Sequence, residues 1–163
     1  MKEKNKSQWV AEGGIIAALY VALTVAFAPI SFGPVQLRIA EALTILPMFT
    51  SSAVPGLFLG CILGNLFGGG IPVDVIFGSL ATLIGAWGGY KLRHNRWLVP
   101  IPTVAANTLI VPFVLKYGYG IADVPMVLMF IYIFVGEILG CYVLGELLAT
   151  ALIHRNIRLT PEE

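Results

Sequence analysis

The chain has 163 residues, 58% of them hydrophobic and 12% charged, and a mean hydropathy of +0.87. A soluble core of this size cannot hide so much apolar surface, so the composition excludes an ordinary soluble domain. The formal net charge of +1 names no partner; what matters is that the charges gather at a few places and leave long stretches with none, as in a polytopic membrane protein. The expectation is one all-α integral membrane domain over residues 1–163, with short tails at about residues 1–10 and 154–163.

The opening residues M-K-E-K-N-K-S-Q-W have the basic start of a signal peptide but no small-residue cleavage site ahead of a polar domain, and are expected to form a cytoplasmic tail. The first span, residues 11–30, is long enough to cross a hydrocarbon core of roughly 30 Å. Along it Gly14, Ala18, Ala22 and Ala26 recur every four residues and make a smooth stripe. Such a stripe suits either packing within the chain or a partner's helix.

Residues 31–37 form a turn containing Gly and Pro and carrying Phe32. It leads into Arg38 and Glu41, which stand alone between uncharged blocks at residues 13–37 and 42–73. At i, i+3 on a helix they share a face, where they pair with each other or with a ligand. The second span, residues 39–50, is short and holds Pro47, so a kink or tilt is expected. The third, residues 53–67, carries a second small-residue row, Gly56, Gly60, Gly64 and Gly68, for which close helix packing is the ordinary explanation. Asn65 lies near its far end. A Gly triplet at residues 68–70 then permits a loop that folds back over a site, ahead of Asp74 at the mouth of the fourth span, residues 73–90.

Lys91, Arg93, His94 and Arg96 form the strongest internal basic cluster before the fifth span, residues 97–115, with Asn107 near its middle. A loop at residues 116–123 bears Tyr117 and Tyr119. The sixth span, residues 125–153, sets Glu137 near mid-membrane and Glu146 deeper, where a structural role is expected. Six spans return both termini to one side. Lys2, Lys4, Lys6, Lys91, Arg93, Arg96, Arg155 and Arg158 then share that side and only Arg38 and Lys116 the other, which makes both ends cytoplasmic.

This topology gathers Arg38, Glu41, Asn65, Asp74, Asn107 and Glu137 in the outer half of the bilayer as candidate substrate-binding residues. A carboxylate at the bilayer centre costs roughly 3 kcal/mol on insertion scales, so Glu137 requires a partner, water or a proton. Glu41 serves either the ligand or Arg38 as counter-ion. Phe32, Tyr117 and Tyr119 are candidates for stacking on a flat ligand, although aromatic residues at this level also form interface belts. Catalysis finds no support. His94 and His154 sit among arginines at span ends, and H-E-x-x-H, G-x-S-x-G and the phosphate-binding G-x-x-x-x-G-K-[ST] are all missing from the sequence. Cys61 and Cys141 match no metal or redox spacing and are expected to pack. Neither cofactor, metal nor nucleic acid is expected.

A six-span chain with a basic cytoplasmic face, an A-x-x-x-A row at Ala18, Ala22 and Ala26, and ligand chemistry under its outer loops resembles the substrate-binding S components of energy-coupling factor transporters. The run Q-L-R-I-A-E-A-L-T-I-L-P at residues 36–47, followed by G-C-I-L-G-N-L-F-G-G at residues 60–69, resembles the QueT family, transporters of queuosine precursors. The resemblance covers nearly the whole chain. It implies a cell-membrane protein that captures a deazaguanine base and docks through its alanine row on a transmembrane coupling subunit served by two ATPases. Two other classes stay open on the residues alone. One is a self-sufficient secondary transporter using Glu137 and Asp74 as a proton or ion relay, although no internal repeat is visible. The other is a membrane scaffold, which gives no reason for carboxylates in the outer half.

Overall fold

The computed structural model describes residues 5–31 and 36–155. Among them the structure is helical throughout, with no strand. Helix α1 is Lys6–Ala26, α2 Ile39–Met48, α3 Ala53–Gly68, α4 Pro72–Lys91, α5 Arg96–Gly118 and α6 Met126–His154. Of the six expected spans, α1, α4, α5 and α6 have the length and apolarity to cross a membrane, while α2 and α3 are shorter apolar helices.

Local chemistry explains the boundaries. The first span stops being helical at Ala26 because Pro29 has no N–H to donate and its ring crowds the carbonyl four residues back; one further turn, Ala28–Ser31, follows. Gly69 ends α3 at φ 92°, a conformation glycine adopts without strain, and the Gly70 N–H donates to Asn65 O at 2.7 Å. Pro72 opens α4, where a missing N–H costs nothing. Helix α5 begins on a 3₁₀ turn, Arg96–Leu98, and ends on a π turn, Val114–Gly118; α6 passes through a π stretch, Ile138–Leu144.

Helix α2 is a ten-residue 3₁₀ helix, far longer than the usual three or four residues. Every residue from Ala40 to Pro47 is buried, and α1, α3, α4 and α6 all pack on it. Its threefold repeat sorts the side chains into three rows. Ala40, Leu43 and Leu46 enter the core beside Tyr20 and Leu57. Ile45 and Met48 meet Val99 and Ala149. Arg38, Glu41 and Thr44 form the third row, and it is polar.

The bundle is apolar outside and buries charged side chains within an otherwise largely apolar interior. Ile15, Leu59, Phe67, Ile76, Leu109, Val127 and Leu147 are exposed, whereas Arg38, Glu41, Asp74 and Glu137 are buried. Lipid tails solvate the first set as well as a core would, so helix association here rests on close packing rather than on burial of apolar surface. The glycines of α3 provide that packing. A Cβ at Gly56 would lie 2.7 Å from Gly13 O, one at Gly60 2.7 Å from the Tyr20 Cβ, and one at Gly64 3.1 Å from the Thr24 Oγ1. The α1 face meeting α3 is therefore Gly13, Ala17, Tyr20 and Thr24. Gly14, Ala18, Ala22 and Ala26 lie on the exposed side, and a Cβ on Gly14 would meet nothing within 4 Å.

One end of the bundle is tied by polar contacts. Trp9 Nε1 donates to Ser51 Oγ at 2.9 Å, and the Thr50 and Ser52 hydroxyls each donate to Glu12 Oε2 at 3.0 Å. Arg96 pairs with Glu146 and donates to its carbonyl at 2.8 Å. Helix directions set Lys6, Lys91, Arg93, Arg96 and Arg155 at this end and Arg38 and Lys116 at the other. Lys2, Lys4 and Arg158 lie outside the described residues.

Candidate functional site

Toward the end opposite that tie, all six helices and the loop after α5 bring polar residues together in two tiers. In the upper tier the Arg38 guanidinium, where the chain enters α2, reaches Asp74 in the first turn of α4. Nη2 donates to Oδ2 at 3.4 Å and lies 3.5 Å from Oδ1. The Tyr119 hydroxyl donates to Asp74 Oδ2 at 3.1 Å and accepts from the Ile71 N–H at 3.4 Å, so one side chain bridges the loop after α5 to the loop before α4. Burial first, and the Asp74 charge second, hold the Tyr119 phenol above its ordinary pKa, which keeps it protonated and a donor. Asn65 Nδ2 donates to the Asp74 carbonyl at 3.4 Å and approaches Cys61 Sγ at 3.6 Å. Gly78 makes room for the group, since a Cβ there would fall 2.9 Å from Asp74 Oδ1 and 3.3 Å from Asn65 Nδ2.

The lower tier begins one 3₁₀ turn along α2. Tyr20 of α1 donates its hydroxyl to Glu41 Oε1 at 2.6 Å. Thr44 donates to the Glu41 carbonyl at 2.6 Å. From α6, Cys141 Sγ donates to Glu137 Oε2 at 3.3 Å and lies 3.5 Å from the Thr44 hydroxyl. Asn107 of α5 stands beside the Glu137 carboxylate. One atom each of Glu41, Glu137 and Cys141 lies within 4.8 Å of the others, and these are the residues that would hold a divalent cation. Glu41 Oε2 is buried without a hydrogen-bond partner, as is Asn65 Oδ1. Gly140 lets α6 approach, because a Cβ on it would come within 3.1 Å of Arg38 O and 3.4 Å of Glu41 Cβ. Glu137 sits where α6 changes from α to π geometry, an irregularity often found at functional sites.

All six candidate residues, Arg38, Glu41, Asn65, Asp74, Asn107 and Glu137, thus lie buried in one connected region. Tyr119 joins them. Tyr117 does not: it is 79% exposed and stacks on Phe113 at 6.4 Å. Phe32 lies outside the described residues. Sequence reasoning missed Tyr20, Thr44 and Cys141; the available signal was the threefold period for Thr44 and the i, i+4 spacing to Glu137 for Cys141. Two apolar grooves lie elsewhere, of about 480 Å³ beside Val73, Phe77 and Phe113, and about 500 Å³ beside Val104, Phe134 and Ile138. Neither touches the polar cluster, and their aliphatic and aromatic walls suit lipid tails rather than a polar ligand.

Chemically, the cluster can bind an uncharged or cationic ligand rich in N–H donors, because carboxylates only accept when ionised. Among proteins of known sequence, the profile of the QueT transporter family matches residues 10–154. The Queuosine precursor transporter QueT of Lactococcus lactis subsp. cremoris (strain MG1363) is 37% identical over 84 residues, 50% of this chain and 49% of that protein. The chain therefore spans about half the length of the curated relative it matches. No solved structure matches.

Proposed function

The chain belongs to the QueT transporter family, a family of transporters rather than enzymes, and from that premise we propose that it captures a queuosine precursor, a deazaguanine base such as pre-queuosine or queuine. It does so as the S component of an energy-coupling factor importer. The observation that carries this reading is the enclosed pairing of Glu137 with Asn107 beside a second carboxylate, Glu41. A deazaguanine shows a ring carbonyl next to two N–H donors. An amide donating to the carbonyl and a carboxylate accepting both N–H groups is the complementary edge.

The protein is a multi-pass membrane protein, and in this reading all six helices form one membrane domain with both termini cytoplasmic and the two-tier cluster facing outward. Every cluster carboxylate is closed off from solvent, so capture requires an opening. The loops before α4 and after α5, joined through Tyr119 and Asp74, are the parts that move, and Tyr119 can stack on the flat ring when they close. Reorientation of the bundle, docked through Ala18, Ala22 and Ala26 on a coupling subunit powered by separate ATPases, then opens the site inward.

Ligand-dependent thermal stabilisation of the purified chain tests the capture step. A deazaguanine at one hundred times its dissociation constant adds about 2.7 kcal/mol to stability, and Glu137→Gln, Asp74→Asn and Arg38→Ala should each reduce that gain. If all three variants keep it in full, the ligand lies elsewhere. Uptake by this chain alone, driven by a proton gradient without ATP, would instead make it a secondary transporter.

A further inference from the structure

The buried charges of the cluster do not balance. Among the described residues the buried charged side chains are Arg38, Glu41, Asp74 and Glu137, one cation against three carboxylates. Arg38 is engaged by Asp74 at 3.4 Å, and a single guanidinium cannot neutralise the two carboxylates below it as well. An uncompensated carboxylate away from water is expensive unless it takes up a proton or a cation enters the site, and a cationic ligand meets that need directly.

The lower carboxylates are also unequal. Glu137 has Cys141 as donor to Oε2 and Asn107 beside it, so it already has side-chain partners. Glu41 receives the Tyr20 hydroxyl on Oε1, while Oε2 accepts nothing although the residue is only 1% exposed. A carboxylate oxygen of Glu41 lies within 4.8 Å of one of Glu137, so the carboxyl that carries the unpartnered oxygen is the neighbour of the second acid. Tyr20 and the Thr44 bond to the Glu41 carbonyl fix the side chain and its backbone from behind.

Building on the function proposed above, we infer that Glu41 is the receptor for a protonated amine on the ligand, so that the site selects cationic, amine-bearing deazaguanines over neutral analogues of the same ring. An ammonium donates to Glu41 Oε2 and supplies the charge the cluster lacks, and charge-assisted hydrogen bonds are roughly twice as strong as neutral ones. A nitrile in the same place donates nothing and leaves Oε2 buried and alone.

The test uses the full-length chain purified in detergent and two probes with one ring, a deazaguanine bearing an aminomethyl group and one bearing a nitrile. Calorimetric titration should show the amine binding at least about tenfold tighter. In Glu41→Gln the two affinities should converge through loss of the amine's advantage, and a cooperative thermal unfolding transition like the parent's checks that the variant is folded. In Glu137→Gln both should weaken together. Equal affinities for the parent chain, or a preference that survives Glu41→Gln, overturn the inference and leave the capture of a deazaguanine standing. If neither probe binds, that reading falls and the inference with it.

Discussion

Asp74 holds the upper tier together by accepting from two directions, Arg38 on the α2 side and Tyr119 from the loop after α5. Tyr119 sits on the loop after α5, and in the proposed opening its hydroxyl bond to Asp74 breaks before a ligand enters or leaves. Tyr119→Phe removes the donor but keeps the ring, and hydrogen bonds to charged groups contribute about 1.5–3 kcal/mol. Ligand dissociation from the variant should be about tenfold faster, with ring stacking preserved; stopped-flow dissociation of a bound deazaguanine measures it, and an unchanged rate removes Tyr119 from the closure. The four buried charges were legible in the sequence because an ionisable group inside an apolar run demands a reason. Tyr20 and Cys141 were not, since a tyrosine or cysteine in such a run looks like packing until the fold sets it beside a carboxylate. Nor could the sequence choose between Tyr117 and Tyr119. The π turn at Val114–Gly118, closed by the Tyr119 N–H donating to Val114 O at 3.1 Å, turns the second inward and leaves the first outside.

Helix positions were mostly legible from charge-free stretches and from Gly and Pro, which is why α3, α4, α5 and α6 begin and end within a few residues of expectation. The 3₁₀ geometry of α2 was not, because a ten-residue helix of that kind persists only when neighbours enclose it, as they do from Ala40 to Pro47, and no local propensity encodes the neighbours. Small-residue rows carry a similar ambiguity. Both α1 and α3 show a four-residue period, yet the α3 row meets α1 whereas the marked α1 row faces outward. Single methyl groups separate the two cases. Gly60→Ala places a Cβ 2.7 Å from the Tyr20 Cβ and 3.1 Å from the Ala17 backbone, and overpacking of this kind costs roughly 1–3 kcal/mol. Gly14→Ala meets nothing within 4 Å and should be neutral or stabilise by up to about 1 kcal/mol through helix propensity. Thermal unfolding in detergent compares them. Because Tyr20 also donates to Glu41, Gly60→Ala should weaken ligand binding too, and equal stabilities for the two variants would refute the packing assignment.

Across the whole molecule, the polar cluster and the outward alanine row occupy different sides of α1. Tyr20 points inward to Glu41 while Ala18 and Ala22 are exposed. Exposure to lipid alone does not call for small side chains, since neighbouring outward positions carry Ile15, Leu19 and Val25. A flat strip among bulky residues is what a second helix needs to come close, and this is the physical content of the proposed docking on a coupling subunit. Capture and translocation should then be separable by one substitution. Ala22→Leu fills the strip without touching Glu41, Asn107 or Glu137. Ligand affinity of the purified variant should stay within about twofold of the parent, well under the 1.4 kcal/mol of a tenfold change. Uptake in cells supplying the coupling subunit and ATPases should be lost. Transport at the parental rate would show that the strip is an ordinary lipid-facing surface, and the energy-coupling reading of this chain would fail while its ligand site stood.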